Sequence, residues 1–268
     1  MIENVFTMLY YIIKEVIKVL TEERHSMIIE ELKNNSVVHI GDLVKKLKSS
    51  ESTIRRDLNT LHKQRRLKKV HGGAIAIDKN INTTEDDVTV RQTLNISEKI
   101  EIAKYAAKLI ESNDFIYIDA GTTTEFMIDF IQEKQATFIT NGINHAKKLI
   151  RNGFKTYILG GEIKGITEAM VGVEAVESLK KYNFTKGFFG TNGISEERGY
   201  TTPDIKEALV KEKALKRSKD SYILADNSKF NKISSVVFGD IEGANIITTK
   251  VLDNKYKDLT NIVEVNKE

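Results

Sequence analysis

The stretch DAGTTT, Asp119 to Thr124, sets one glycine and three hydroxyl side chains behind a strand-like run, FIYID, and at the start of a helix-like one, TTEFMIDFIQE. A phosphate needs hydrogen-bond donors and partial positive charge, and hydroxyls together with the first free amides of a helix supply both. The segment has neither the lysine nor the length of a nucleotide P-loop, which argues against ATP. Comparable residues close later strand-like runs: Asn141 in ITNG, Gly160 and Gly161 in LGGE, Thr191 and Asn192 in GTNG, Asp226 and Lys229 in ADNSK. Lys211 sits on the helix-like run PDIKEALVKEKALKRS and is expected to face the same mouth. Singly, each is an ordinary turn or surface residue; together they would rim one site. The expected division of labour gives a phosphate to Thr122, Thr123 and Thr124. Lys211 and Lys229 balance its charge, and Asn141, Thr191, Asn192 and Asp226 address polar groups on the rest of the ligand. Asp119, Gly121, Gly160 and Gly161 complete the rim.

A second chemistry is carried by SSESTIRRDL, Ser49 to Leu58. Ser50 is placed to cap a helix in which Ile54, Leu58 and Leu61, at i, i+4 and i+7, must face a core. Ser52, Arg55, Arg56, Asn59 and Lys63 then fall on the outward arc. Such a face fits the major groove, where arginine can bond guanine edges in pairs and hydroxyls reach bases or phosphates. The run RRLKKVHGGAI follows, basic and then apolar, with a glycine pair for a tight turn. It reads as a two-stranded wing with Lys68, Lys69 and His71 near the DNA backbone. The expected DNA-contacting set is Ser50, Ser52, Thr53, Arg55, Arg56, Asn59, Lys68, Lys69 and His71. A basic face that is merely solvated is the bland alternative. Against it stands the charge distribution: residues 21–77 hold 12 Lys/Arg against 7 Asp/Glu, while the whole chain is only +3.

Both sites need elements to hold them. TEERHSMIIEELKNN spaces Ile28 and Leu32 for one face of a first helix, and GDLVKKLKSS points Leu43, Val44 and Leu47 inward from a second. Four of the five histidines lie in this part without convincing metal spacing, and they read as surface or wing residues. Residues 78–93 turn polar without core periodicity and read as a linker. Beyond them helix-like and strand-like runs alternate, from SEKIEIAKYAAKLIES through FIYID, ATFIT, KTYILGG and YNFTKGFFG to SYILAD. That alternation predicts a mainly parallel sheet covered by helices, with ligands gathered beyond the carboxyl ends of its strands. The fold class is therefore α/β: an N-terminal winged helix-turn-helix over 21–77, a C-terminal sensor over 94–252, and a short segment 253–268.

A chain of 268 residues, 40% hydrophobic and 29% charged, has room for two domains. It contains no cysteine, which excludes disulfides, thiolate metal sites and thiol catalysis and fits a cytoplasmic home. In residues 1–20 the apolar run from Val5 to Ile13 is too short for a bilayer and lacks the flanks of a secretory signal. Lys14-Glu15-Val16 can be encoded by a ribosome-binding sequence, which would put the true start at Val19 or Leu20. A short extra helix is the equal alternative.

The ordered set Arg24, Ile28, Leu32, Ser50, Thr53, Ile54, Arg55, Arg56, Asp57 and Leu58 resembles the N-terminal signature of the DeoR family of bacterial transcription regulators. The second part resembles the sensor domain of the same family, itself similar to ribose-5-phosphate isomerase, and the resemblance runs from Thr21 to Thr249. Within the family, YIDAGTTT, FFGTNGI, GYTTPD and YILADNSKF look most like the fructose operon repressors of Gram-positive bacteria. The resemblance implies an oligomeric repressor on operator DNA, released by a sugar phosphate, fructose 1-phosphate in this subfamily. It implies no cofactor, no metal and no membrane.

Two alternatives are weighed against that reading. The related isomerases carry aspartates in the loop corresponding to GTNG, where this chain has Thr191 and Asn192, side chains that cannot act as bases near neutral pH. Glu212 falls near the isomerase's glutamate, which keeps a sugar-phosphate isomerase as an alternative. A DNA-binding protein whose second domain only oligomerises is the other, and the phosphate-compatible rim argues against it.

Overall fold

The structure, a computed structural model, describes residues 21–32, 35, 37–64, 66–76, 81–84, 88–251 and 254–265. The expectations for residues 1–20 lie outside these. The chain divides into two compact units, Met1–Lys79 and Asn80–Glu268.

In the first unit a helix over residues 21–32 (α1) is followed by strand β1 (Val37–His39) and helices α2 (Ile40–Leu47) and α3 (Glu51–Lys63). A hairpin of β2 (Leu67–Val70) and β3 (Gly73–Ala76) comes next. β1 pairs with β3, so the wing is a three-stranded antiparallel sheet ordered β1-β3-β2, one strand more than the sequence suggests. Its turn passes through Gly72 at φ +81°, a conformation cheap only for glycine. Ile28, Leu32, Leu43, Ile54, Leu58, Leu61 and Leu67 form one buried cluster, as the spacing predicts.

In the second unit Asn82 first bridges to Ser234, and α4 (Val88–Thr93) and α5 (Ile96–Lys108) follow. Its centre is a seven-stranded sheet of β4 (Phe115–Ile118), β5 (Thr137–Thr140), β6 (Lys155–Ile158), β9 (Phe184–Gly190), β12 (Ser218–Leu224), β14 (Asn245–Thr248) and β15 (Ile262–Glu264). The order is β15-β14-β12-β9-β4-β5-β6 and every pair is parallel. Period-two alternation divides the strand residues between two cores. Tyr117, Ile139, Phe189, Ile223 and Ile246 enter one, and Ile116, Phe138, Phe188, Leu224 and Ile247 the other. Helices α6 (Thr122–Met127), α7 (Ile143–Arg151), α8 (Val173–Leu179) and α9 (Ile205–Leu215) cover the faces with α5. A hairpin of β7 (Glu162–Lys164) and β8 (Ala169–Val171) and an antiparallel set of β10 (Gly193–Ser195), β11 (Gly199–Thr202) and β13 (Val236–Gly239) complete the unit.

Three differences from the sequence reading follow from packing. Part of the stretch read as linker is helical, as α4. The segment read as a C-terminal appendage supplies β15, the sheet's last strand, and the fully buried Tyr256. His25, read as a surface residue, is buried against Asp57.

Candidate functional site

The DNA-reading face is built on α3. Ser50 adopts an extended conformation ahead of the helix, and its hydroxyl accepts the Thr53 amide at 3.2 Å, the N-cap its type predicts. The Ser52 and Thr53 hydroxyls cluster on it at 2.9 and 2.8 Å. Arg55 and Arg56 are exposed; Arg55 pairs with Glu51 one turn back at 2.6 Å, a surface contact that exchanges cheaply for a base edge. Asn59 accepts the Lys69 ammonium at 2.7 Å, so helix and wing are tied by two residues expected at the interface. Lys68 and His71 are exposed on β2 and its turn. Asp57, 3% exposed, faces inward and takes Arg24 Nε at 2.5 Å and Nη2 at 3.1 Å, with His25 at 3.2 Å. The hydrogen bond to Asp57 raises the Arg24 pKa above its ordinary value against the cost of burial. This buried cluster fixes α1 against α3 and sets the angle at which the outward arc is presented.

In the second unit a cavity of about 70 Å³ lies beyond the carboxyl ends of the central strands. Gly121, Thr122, Thr123, Thr191, Asn192, Lys211, Asp226 and Lys229 of the expected set line it. They come from the ends of β4, β9 and β12, the start of α6 and the inner face of α9, which is why residues a hundred positions apart converge.

The remaining expected residues stand elsewhere. Asp119 is 1% exposed and lies behind the wall: its carboxylate takes the Gly190 amide at 3.0 Å and the Lys211 ammonium. Lys211 also donates to Gly190 O at 3.1 Å. Its charge is thus engaged by a buried carboxylate rather than held for a ligand. Thr124 is fully buried and donates to Asp119 O at 2.6 Å, so the third threonine shapes the loop instead of touching the cavity. Asn141, also buried, accepts the Ala120 amide at 2.9 Å. Gly160 and Gly161 sit between β6 and β7 away from the cavity; Gly161, at φ +135°, lies against Val171 and Ala175. Glu212 does not line the cavity and pairs with Lys216 at 2.5 Å.

The cavity is completed by residues that sequence reasoning did not single out: Arg91, Asn95, Lys99, Glu207 and Ser228. Lys99 is 4% exposed, and burial lowers its pKa to about 8 although the Asp226 charge opposes the fall. Asp226 is as deeply buried. Burial pushes its carboxyl up, but the Lys229 charge and hydrogen bonds from Ser228 hold it below the ordinary carboxylate range. Asn95 donates to it at 3.0 Å. Glu207 accepts Thr167 at 2.7 Å and Lys164 at 3.1 Å. The wall therefore offers ammonium and guanidinium groups, hydroxyls and two carboxylates side by side, an arrangement that suits a molecule with one anionic end and several hydroxyls. Beneath the threonine loop, His145 Nε2 lies 3.0 Å from Gly121 O and 3.1 Å from Thr124 Oγ1. The carbonyl places the proton on Nε2, and burial lowers the pKa to about 4, so the ring is neutral. Gly142 is required here, because a Cβ would fall 2.5 Å from His145 Nδ1. Among the described residues no cluster of His, Asp or Glu could hold a metal ion, and no helix is long and apolar enough to cross a membrane.

Comparison with known proteins agrees with both halves. The family model of the DeoR-like helix-turn-helix domain matches residues 24–80, and that of the DeoR C terminal sensor domain matches residues 94–250. The chain is 46% identical to the uncharacterized HTH-type transcriptional regulator FruR of Bacillus subtilis (strain 168), over 86% of this chain and 91% of that protein. It is 34% identical to a lactose phosphotransferase system repressor of Staphylococcus epidermidis, over 85% of this chain and 92% of that one. Among solved structures, ribose 5 phosphate isomerase A from Neisseria gonorrhoeae superposes on 52% of this chain and 54% of its own, at 16% identity and a TM-score of 0.38, too distant to argue from. With both units matched in order, the chain belongs to the DeoR family of transcriptional regulators, and is a regulator rather than an enzyme.

Proposed function

We propose that the protein is a cytoplasmic repressor of a fructose-utilisation operon, bound to its operator as a homo-oligomer and released when fructose 1-phosphate enters the sensor cavity. The observation that carries the reading is the cavity itself, lined by Thr122 and Thr123, by Lys99 and Lys229, and by the hydrogen-bonding Asn192, Asp226 and Glu207. Cations and hydroxyls take a phosphate; carboxylates and amides take the hydroxyls of a sugar. The choice of fructose 1-phosphate rests on the sequence motifs shared with fructose operon repressors and on the 46% identity to FruR. On the DNA side, Arg55 and Arg56 read base edges, while Ser52, Thr53, Asn59, Lys68, Lys69 and His71 engage phosphates or bases, and Ser50 contributes by capping the reading helix. Release requires that the ligand bind the DNA-free state more tightly than the DNA-bound one.

The test is release of the full-length protein from its operator, titrated in parallel with fructose 1-phosphate, fructose 6-phosphate, tagatose 6-phosphate and glycerol 3-phosphate. Release by fructose 1-phosphate at the lowest concentration is expected. Release by another member, with fructose 1-phosphate inert, replaces the ligand and keeps the repressor. No response to any of the four overturns the sugar-phosphate reading.

A further inference from the structure

Lys99 occupies an unusual position for an ammonium. It lies in the first turns of α5, on the face that buries Ile102, Ala103 and Ala106, and it lines the cavity while only 4% exposed. Its Nζ donates to one main-chain oxygen, that of Arg91, at 2.5 Å. An ammonium has three protons to give, and among the described residues Lys99 Nζ makes no second hydrogen bond.

Arg91 belongs to α4, a helix of six residues with none buried. Gln92 of α4 also donates to Glu125 on α6 at 3.2 Å. An element with so little buried apolar contact sits at the low end of local stability and moves at small cost. α4 follows the chain's first sensor contact, the pairing of Asn82 with Ser234, and so lies between that anchor and the cavity. A charged group inside the cavity is therefore bonded directly to the backbone of a helix with no buried residue.

We propose that Lys99 is the positioning residue that carries ligand occupancy out of the cavity: a phosphate that engages its free donors alters its hold on the Arg91 carbonyl and resets α4. The inference rests on the sugar-phosphate reading of the cavity. It gives Lys99 a role distinct from that of Thr122, which lines the cavity from the start of α6 and has no hydrogen bond to the Arg91 carbonyl among those described. A ligand shifts an equilibrium only through contacts that differ between the states, and the Lys99 bond to Arg91 O is such a contact.

The experiment uses the full-length protein with fructose 1-phosphate and the three other sugar phosphates as probes. Calorimetry reads ligand affinity without DNA, and operator affinity is measured with and without saturating ligand. In the wild type, saturation is expected to weaken operator binding by about tenfold or more. Thr122→Ala should bind ligand more weakly yet reach the same weakening once saturated. Lys99→Met should lose ligand affinity as well, and at saturation its operator affinity should stay within about twofold of the ligand-free value. Full weakening in saturated Lys99→Met overturns the proposal. Should that variant fail to fold or to bind, hydrogen exchange in the wild type decides: amides of residues 88–93 are expected to change on adding ligand, and unchanged exchange there overturns it. A wild type that binds none of the four probes overturns the underlying reading and this inference with it, whereas ligand binding without a Lys99 effect overturns this inference alone.

Discussion

His145 and Lys99 are both buried bases whose charged forms the fold disfavours, and their consequences fall on opposite sides of neutrality. The folded-state pKa of His145, about 4, lies below its ordinary value of 6.5, so between these limits the unfolded chain binds the extra proton. Sensor stability should therefore be lost as pH falls from 6.5 to about 4, and His145→Gln should flatten that part of a melting-temperature profile. Lys99, at about 8, is charged below that value and neutral above it, in a setting shared with Asp226, Lys229 and Arg91. A bound phosphate favours the ammonium, while the phosphate itself takes up a proton near pH 6. Affinity for a sugar phosphate should then peak between about pH 6 and 8 and decline as pH rises past 8; calorimetry across that range checks it, and Lys99→Met should remove the alkaline limb. Lys211 behaves differently. Removing its ammonium leaves Asp119 buried beside Gly190 without a counter-charge, so Lys211→Ala should destabilise the whole sensor rather than empty the cavity selectively.

At the scale of elements, α3 depends on its cap and on the carboxylate beneath it. Ser50→Ala should cost about 1 kcal/mol in the melting of the first unit. Asp57→Ala should cost about 3 kcal/mol, because it strands the Arg24 guanidinium, and should abolish operator binding while calorimetric ligand binding survives. The helix face was legible in the sequence because Ile54, Leu58 and Leu61 repeat at helical spacing and leave Arg55 and Arg56 on the other side. The strand ends were legible for a similar reason: polar residues after apolar runs mark the carboxyl edge of a parallel sheet. What spacing could not reveal was which polar residue at such an edge turns inward. Thr122 and Thr123 line the cavity and Thr124 does not, a difference of rotation about one short helix. Lys99 stayed invisible because a lysine on an amphipathic helix looks solvated, and Arg91 because six residues without an apolar stripe look like linker. The groups that share the cavity with them, Asp226 and the start of α6, lie too far along the chain for any local pattern to report.

For the whole molecule, the two functions should separate in salt. On the proposed reading the wing lysines meet phosphates, so Lys69→Ala should lower affinity for all DNA sequences and reduce the slope of log affinity against log salt by about one, measured by fluorescence anisotropy. Arg55→Ala with Arg56→Ala should instead erase the preference for the operator over random duplex. Each unit buries its own apolar cluster, residues 28–76 in one and 102–265 in the two that flank the sheet. Among the described residues, each core is built from side chains of its own unit. Address and message are thus written in separate sentences: a lineage can revise the DNA sequence it visits, or the metabolite it answers to, without renegotiating the interior of the other half, and one ancestral pairing can be dealt out repeatedly across pathways.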